Sequence, residues 1–506
     1  MKKAEIQTGY VSKQLLTLNI FVAIFYFSWW LTPSHVGNPI LYYSLLFGEI
    51  YHVLMAFGFW YTVWPRKTKE LLRMEKTKPS VSVFITVAGE PVDLVQRTAE
   101  AARDMNYGNH KVYILNDGFV AGKDNWKDIE LMAAKIGVNC ITRKRAGGAK
   151  AGNINNATLK TKSDFIAVLD ADMIPHPDFL DKVMPHFADK NVGFVQTPQF
   201  YRNWTKNSIT GGASEQQNFF FGPIMEGKGL LNSAFICGTN VVLRRGMLES
   251  IGGIYEKSIA EDFLTSLLVH KNKWRSVYVR EVLCEGLAPE DLGAYCSQQY
   301  RWARGSLEAL FKFNPIFLGG LPFSARIQYL LSALYYFNGV VVLIDIMASI
   351  FFLLFGIQAV SATTSSFALF FIPYMFLTLY TLFNVSGQGI TFRAISFSQS
   401  SWVLQIKALL GAITRSRDGF TVTPKEEKEK NFVYLVYPHL IYVFLAFVSF
   451  TVAYMREGAD PAVITNTAWA IFNVIMFIPF IAASYKWKKT FGIAKPLIVK
   501  PDVKIQ

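Results

Sequence analysis

Long apolar runs stand on either side of a polar block in this chain. Six runs reach the roughly 20 residues that a membrane-spanning helix needs, and they cover residues 15–32, 39–64, 328–355, 367–385, 432–454 and 463–485. No small-residue cleavage site follows the first run, so we expect it to be retained as a helix and not removed as a signal peptide. The pattern predicts about six spans, two before the polar block and four after it.

The loops between these spans differ in charge. Residues 32–38 and 356–366 contain no Lys or Arg, whereas residues 65–79, residues 415–430 and the tail after residue 485 are rich in both. Basic loops stay on the cytosolic side of a membrane. All the basic loops fall on one side if each run crosses once, which predicts a protein of the plasma (inner) membrane with both termini in the cytosol.

Between residues 80 and 313 the pattern changes to short β-branched runs that alternate with amphipathic stretches. The predicted elements are strands at residues 81–87, 112–115 and 165–169 and a helix at residues 92–106. Such alternation is typical of an α/β domain with a mostly parallel sheet. Functional side chains of these sheets lie where strands end. Three carboxylates follow predicted strands, and they are Asp117, Asp170 and Asp172.

The composition agrees with a membrane protein. Of the 506 residues 51% are hydrophobic and only 17% are charged, with a mean hydropathy of +0.24. The formal net charge of +14 gathers at the ends of apolar runs, so it does not indicate nucleic acid as a partner. The four cysteines form no CxxC pair and all lie in the polar block. We therefore expect reduced thiols, with neither a disulfide nor a zinc site.

The first group of polar motifs suits nucleotide binding. Asp170 and Asp172, spaced i, i+2 after a strand, can hold one divalent cation that in turn binds a diphosphate. Asp117 can accept hydrogen bonds from a nucleobase or ribose. Lys150 lies in a Gly-rich loop that leads into a helix, where it can balance phosphate charge, although the spacing is not that of a P-loop. The structural alternatives are a solvated turn for the Asp pair and a cap beside Gly118 for Asp117.

A second group of motifs suits sugar transfer. Glu261 and Asp262 stand at the start of a predicted helix, where Asp262 can take the proton of an attacking hydroxyl. The alternative is a negative charge that complements the helix dipole. Arg301 can stabilise a departing diphosphate and Trp302 can offer its face to a sugar ring. The alternative for this pair is an anchor at the membrane surface.

Three features belong to the membrane part. Residues 291–313 and 397–414 are amphipathic but not apolar enough to span, so each suits a helix in the membrane interface. Asp345 lies well inside a predicted span. A charge at that depth faces the interior of a helix bundle or a water-filled path, and the alternative is a helix bend with access to water.

The order of these motifs is recognisable. Residues 80–313 resemble the GT-A catalytic domain of the processive family 2 glycosyltransferases. Asp117 matches the family's substrate-binding Asp, and Asp170 and Asp172 match its DxD motif. Glu261 and Asp262 match the ED pair, and Gln298, Arg301 and Trp302 match QxxRW. Phe235, Cys237 and Gly238 belong to a segment that matches F-x-C-G-T. Residues 196–199 resemble the Q-T-P segment of the family. The family's cellulose synthases have an F-x-V-T-x-K gating loop, which Phe420, Val422, Thr423 and Lys425 resemble.

The resemblance implies an α/β GT-A domain inserted in a transmembrane domain of about six helices plus interface helices. The implied parts are N-terminal transmembrane helices (1–65), a cytosolic GT-A domain with an interface helix (66–313), transmembrane helices (314–390), an interface helix and the gating loop (391–431), and transmembrane helices with a cytosolic tail (432–506).

The resemblance also implies an activity, that of a hexosyltransferase of the UDP-forming, cellulose synthase type. Such an enzyme polymerises a β-1,4-glucan from UDP-glucose with inversion and passes it through the bilayer, where an accessory protein can receive it. The donor would be bound by Asp117, Lys150, Asp170, Gln298, Arg301 and Trp302, and Mg²⁺, with Mn²⁺ as the alternative, by Asp172 and Asp170. Asp262 would deprotonate the acceptor beside Glu261. The acceptor itself would contact Phe235, Cys237, Gly238 and Trp302.

The chain departs from the family pattern in three places, and other products stay open. Ala260 stands where the family has Thr, Asn116 replaces one Asp of D-D-G, and two spans instead of four precede the catalytic block. The tail after Tyr485 is too short for a cyclic-di-GMP-binding barrel, so we expect no direct control by that messenger. The alternatives are curdlan, mixed-linkage glucan, mannan or an N-acetylglucosamine polymer, a non-processive lipid-linked sugar transferase, and a scaffold without activity.

Overall fold

The computed structural model describes residues 5–6, 8–67, 78–387, 390–415 and 431–485. The strands are β1 (Val81–Val87), β2 (His110–Asn116), β3 (Asn139–Thr142), β4 (Phe165–Asp170), β5 (Ile174–Pro175), β6 (Val192–Gln196), β7 (Phe200–Tyr201), β8 (Val241–Arg244), β9 (Arg275–Tyr278) and β10 (Cys284–Gly286).

The helices fall into two groups along the chain. Those of the first part are α1 (Lys13–Trp30), α2 (Pro39–Val63), α3 (Val92–Arg103), α4 (Trp126–Lys135), α5 (Ala149–Lys160), α6 (Phe179–Val183), α7 (Ser208–Phe219), α8 (Met225–Leu230), α9 (Arg245–Ile251) and α10 (Glu261–Lys271). Those of the second part are α11 (Leu292–Phe313), α12 (Phe323–Leu334), α13 (Asn338–Phe355), α14 (Thr364–Val385), α15 (Phe392–Ser400), α16 (Trp402–Thr414), α17 (Tyr437–Glu457) and α18 (Pro461–Ala483).

A seven-stranded sheet in the order β3–β2–β1–β4–β8–β6–β9 forms the centre of the α/β domain. β8 runs antiparallel to both its neighbours, and the other adjacent pairs of this sheet are parallel. The predicted α/β domain with a mostly parallel sheet is therefore confirmed. A second, three-stranded sheet in the order β5–β10–β7 begins two residues after Asp172.

Helices cover both faces of the large sheet, which explains the continuous apolar sequence of its central strand. Val83 and Ile85 of β1 belong to a core that also contains residues of α3 and α4. Phe84 points to the opposite face and joins a core with residues of α5 and α9. Because successive side chains of a strand point to opposite faces, a strand buried on both sides needs apolar residues at nearly every position. The two cores fix the strand ends that carry the polar motifs.

Five helical segments of the described residues are long and apolar enough to cross a membrane. They are Pro39–Val63, Phe323–Phe355, Thr364–Val385, Val433–Glu457 and Pro461–Ala483. They coincide with the second to sixth predicted spans. The first predicted span forms α1, which is not among these five but packs against α14, with the rings of Tyr26 and Tyr374 stacked 4.7 Å apart.

The two predicted interface helices have different outcomes. The stretch at residues 291–313 forms α11, whose first turn is capped by Asp291 through a 2.7 Å hydrogen bond from the Ala294 N–H. The prediction of one helix over residues 397–414 is wrong, because the chain forms α15 and α16 with Ser401 between them. The Ser401 hydroxyl donates to the Phe397 carbonyl oxygen at 2.8 Å. Such a bond from Ser to the preceding turn bends a helix.

α16 packs against α11. Ala303 and Leu307 of α11 form a buried cluster with Ala408 and Leu409 of α16.

Asp345 lies between two membrane helices. One Asp345 carboxylate oxygen lies 3.9 Å from His52 Nε2 of α2. Asp345 therefore faces another helix, as expected for a charge that points into a bundle.

Candidate active site

The carboxyl ends of four strands lie level at one edge of the large sheet. Val87 of β1 is paired with Asn116 of β2, and Asn116 is paired with Thr142 of β3. Asp170 at the end of β4 is paired with Thr86 of β1. This register brings the residues that follow each strand to a common sheet edge, where ligands of such sheets bind.

Asp117 is held at this edge by an arginine that sequence reasoning missed. Nε and Nη2 of Arg143 donate to the two Asp117 carboxylate oxygens at 2.9 and 2.6 Å. Burial raises the pKa of Asp117, and the hydrogen bonds and charge of Arg143 oppose this rise. Arg143 directly follows β3, so recognising that short strand would have placed Arg143 at the edge. The pair presents both a carboxylate and a guanidinium to this part of the site.

Lys150 lies at the start of α5 and connects two of the predicted motifs. The turn before it needs a left-handed backbone at Gly148, whose φ is +63°. Lys150 Nζ forms an ion pair with the Asp170 carboxylate and donates to the Gly238 carbonyl oxygen at 2.8 Å. Burial lowers the pKa of Lys150, but the carboxylates of Asp170, Glu261 and Asp262 raise it by more, so Lys150 stays charged.

Asp172 is buried and held by the small sheet. The backbone N–H of Leu287 donates to one Asp172 carboxylate oxygen at 2.9 Å. Arg202 Nη1 donates to the carbonyl oxygens of Asp172 and Glu285 at 3.0 and 2.7 Å. Asp172 is 1% exposed, whereas the Asp170 side chain is 37% exposed. The two Asp residues of the DxD motif therefore have different surroundings, one in a fixed backbone frame and one open to the cleft.

The carboxylates here fit a divalent cation. Burial raises the pKa of Glu90, which follows β1, and the negative charges of Asp170 and Asp172 raise it further. A hard cation relieves such crowding of negative charge and prefers oxygen ligands. The described residues contain no group of three His, Cys, Asp or Glu side chains arranged to hold a metal by themselves. The carboxylates of Asp170 and Asp172 supply oxygen donors of the kind that such a cation prefers.

Glu261 and Asp262 begin α10, as predicted. Burial raises the pKa of both carboxyls, that of Glu261 to about 7, while the positive charges of Lys150 and Arg301 lower the pKa of each. A Cβ added to Gly238 would lie 3.2 Å from Asp262 Oδ2 and 3.7 Å from Lys150 Nζ. Because Gly238 has no side chain, it leaves room between the Asp262 carboxylate, whose pKa is raised, and the Lys150 ammonium group.

The QxxRW helix crosses directly beside the ED pair. A Cβ added to Gly305 of α11 would lie 2.3 Å from Ala260 Cβ, so these helices are in close contact. Gln298 is buried, and Arg301 and Trp302 are half-buried one turn before Gly305. The side chain at position 260 faces α11. Ala260, which stands where the family has Thr, therefore affects the packing between these helices, while both acids, Glu261 and Asp262, are kept.

Residues 235–239, named here the acceptor segment, are held by the Q-T-P segment. Gln196 accepts from the Cys237 N–H at 2.9 Å and donates to the Thr239 carbonyl oxygen at 2.8 Å. The Phe235 ring meets the ring of Phe263 edge to face at 5.0 Å. The cysteines in the described residues are free thiols, as expected.

The structure brings together five of the predicted residues, which are Lys150, Asp170, Gly238, Glu261 and Asp262. Arg301 lies near the two acids of α10, and Asp117 lies at the same sheet edge as Asp170. The residues of the predicted gating loop, Phe420, Val422, Thr423 and Lys425, lie outside the described residues. Besides Arg143, sequence reasoning missed Glu90 and Arg202. Glu90 stands three residues after the carboxyl end of a predicted strand, which is a signal for it, whereas Arg202 shows none.

Comparison with known proteins gives a family match. Residues 165–382 match the family model described as glycosyl transferase family group 2. The chain is 29% identical over 490 residues to a UDP-forming cellulose synthase catalytic subunit of Pseudomonas fluorescens, covering 91% of this chain and 65% of the relative. It is 32% identical over 340 residues to a protein of the same name from Xanthomonas axonopodis pv. citri, covering 64% and 46%. The chain therefore spans less than two thirds of the length of either relative.

Two solved structures are also similar to parts of the chain. One is a mannosyltransferase from Pyrobaculum calidifontis in complex with GDP-mannose and Mn²⁺, with a TM-score of 0.49 and 17% identity, covering 72% of this chain and 98% of the other. Another is a glucosyl-3-phosphoglycerate synthase from Mycobacterium tuberculosis in complex with Mn²⁺, UDP and glucosyl-3-phosphoglycerate, with a TM-score of 0.32 and 15% identity, covering 48% and 81%.

Proposed function

We propose that the chain is a hexosyltransferase that polymerises a β-1,4-glucan from UDP-glucose and passes it across the membrane, because residues 165–382 match the model of glycosyl transferase family group 2. One observation carries this proposal, which is the convergence of Asp262, Lys150 and Asp170 around Gly238. The names of the relatives, UDP-forming cellulose synthases, support the donor and the product. Five helices suited to crossing a membrane support translocation.

The residues of the sheet edge bind the donor. Asp117, fixed by Arg143, accepts hydrogen bonds from the uridine. Lys150 of α5 and Arg301 of α11 stabilise the negative charge of the diphosphate as it departs, and Gln298 lies one turn before Arg301. Asp172 and Asp170 would hold Mg²⁺, or Mn²⁺, which neutralises charge on the diphosphate when bound.

Asp262 acts as the general base of the transfer. The acceptor 4-hydroxyl attacks the anomeric carbon of the donor, and its proton passes to the Asp262 carboxylate. A new C–O bond forms on one face of the sugar while the bond to the phosphate oxygen breaks on the other, so UDP leaves with the electron pair and the configuration inverts. The raised pKa of Asp262 makes its carboxylate a better proton acceptor. Glu261 lies beside it, and burial and the negative charge of Asp262 raise the pKa of Glu261 to about 7.

The acceptor chain lies between the acceptor segment and α11. Phe235, Cys237 and Gly238 line one side, and Trp302 offers an aromatic face on the other. The product then leaves through the membrane helices toward an accessory protein. The enzyme resides in the inner membrane with both termini in the cytosol.

Sugar incorporation by the purified protein in lipid nanodiscs tests this function. Labelled UDP-glucose and UDP-N-acetylglucosamine are compared with and without Mg²⁺, and the product is digested with an endo-β-1,4-glucanase. We expect metal-dependent polymer from UDP-glucose that the glucanase degrades. A glucose polymer that resists digestion would move the linkage to curdlan or a mixed-linkage glucan, and polymer from the other donor would change the product. Transfer of a single sugar to a lipid would overturn processivity.

The pKa values of the ED pair predict an unusual pH profile. A base works only when deprotonated, so activity falls as the pH drops through the pKa of Asp262. Because burial raises this pKa, the acid limb of kcat/KM should lie above the usual carboxyl range. The charge of Asp262 raises the pKa of Glu261, whereas burial is what raises that of Asp262, so Glu261→Gln should leave the limb in place. An acid limb that moves to lower pH in this variant would assign the limb to Glu261.

A further inference from the structure

Lys228 is a buried cation between the α/β domain and the membrane helices. It lies in α8 and is 3% exposed. A Cβ added to the adjacent Gly227 would lie 2.2 Å from the carbonyl oxygen of Thr62 in α2, so the two helices touch here. Burial lowers the pKa of Lys228 to about 7. A buried ammonium group is unfavourable unless its protons are hydrogen-bonded, so Lys228 needs acceptors within the protein.

All the protons of Lys228 have acceptors on α12. Nζ donates to the carbonyl oxygen and to Oε1 of Gln328, at 2.9 and 3.0 Å, and to Ser332 Oγ at 2.9 Å. Gln328 Nε2 in turn donates to Thr62 Oγ1 at 2.9 Å. The Thr62 hydroxyl then donates to the Gly58 carbonyl oxygen at 2.8 Å. One chain of hydrogen bonds therefore ties α8 of the α/β domain to two membrane-type helices, α12 and α2.

The other side of Lys228 faces the acceptor segment. Its ammonium group lies 5.6 Å from the centroid of the Phe235 ring. Phe235 contacts Phe263, and Phe263 meets Tyr329 edge to face at 5.0 Å. Tyr329 follows Gln328 in α12 and bonds to His270 Nδ1 at 2.8 Å. α12 thus carries both the acceptors that hold Lys228 and one ring of the aromatic cluster that includes Phe235.

We propose that Lys228 is a positioning residue that fixes the acceptor segment against α12, so that the end of a growing chain leaves the active site in line with the membrane helices. This inference rests on the proposed function. Without the ammonium group, α8 and Phe235 lose their fixed relation to α12, and the acceptor dissociates more often between successive additions. Donor binding does not change, because Lys228 has no hydrogen bond with Asp117, Lys150 or Asp170 among the described residues.

Lys228→Met tests this role because Met keeps the apolar stem and removes the ammonium group. In nanodiscs supplied with UDP-glucose, we expect the mean product length to fall roughly tenfold, the factor that corresponds to losing a charge-assisted hydrogen bond. The KM for UDP-glucose should stay at the wild-type value. Lys135→Met, on an exposed lysine of α4, is the matched control and should leave product length unchanged.

A double variant separates positioning from folding. Lys228→Met takes one donor from each of the two Gln328 acceptors, which still accept from Ser332 Oγ and Thr62 Oγ1. This loss of buried hydrogen bonds destabilises the protein, and Gln328→Leu added to it removes the buried Oε1. The double variant should recover thermal stability but still make short product. Product of wild-type length from either variant would overturn the positioning role while the proposed function stands. A wild-type protein that forms no polymer would overturn the proposed function and this inference with it.

Discussion

Asp262→Asn is expected to lower kcat by about 10²- to 10⁴-fold, the usual contribution of a general base, while UDP affinity stays at the wild-type value. The amide keeps the size of the side chain and an oxygen that can accept from the Phe263 N–H, which the carboxylate accepts at 2.7 Å. The start of α10 should therefore fold normally. What the variant loses is the ability to take the acceptor proton, beside Gly238 and opposite Lys150.

Steady-state transfer from UDP-glucose and calorimetric titration with UDP together check this result. Glu249→Gln makes the same chemical change at an exposed position of α9 and should retain full activity. A scaffold without activity would behave alike in wild type and variant. Substantial transfer by Asp262→Asn would assign the base to another residue, with Glu261 as the first candidate because its pKa is also raised.

Residues at the ends of long elements could be predicted from the sequence. Asp117 and Asp170 follow strands whose apolar runs are clear, and the strand register brings them to one sheet edge. Asp262 stands at a helix start, where local sequence also gives a signal. Local pattern suffices here because the end of an element is decided by neighbours along the chain.

Residues whose partners are remote could not be predicted in this way. β3 has only four residues and none of them is fully buried, so its β-branched pattern is weak. The strand was therefore not predicted, and neither was the position of Arg143 at its end. Lys228 forms hydrogen bonds with residues of α12 about a hundred positions later in the chain, and no local sequence pattern predicts such a contact. The break at Ser401 depends on a serine hydroxyl that competes for a backbone carbonyl, a choice that helical periodicity does not reveal.

Asp172→Asn is expected to lower kcat/KM by about a hundredfold or more, because a metal that loses a carboxylate ligand loses several kcal/mol of charge stabilisation. Asn can still accept the 2.9 Å hydrogen bond from the Leu287 N–H through its amide oxygen. Arg202 holds the backbone carbonyl of residue 172, which the substitution keeps, so the frame made by the small sheet should persist. The variant therefore removes charge from the metal site without removing the fold around it.

Electron paramagnetic resonance of Mn²⁺ in the presence of UDP measures the metal affinity directly, apart from activity. Asp172→Asn should bind Mn²⁺ more weakly, whereas Asp124→Asn, at an exposed position, should bind as the wild type does. Asp170→Asn separates the two Asp residues, because it also breaks the ion pair with Lys150 and should weaken UDP binding even without metal. Wild-type Mn²⁺ affinity in Asp172→Asn would place the metal elsewhere, and the raised pKa of Glu90 would then make that residue the next ligand to test.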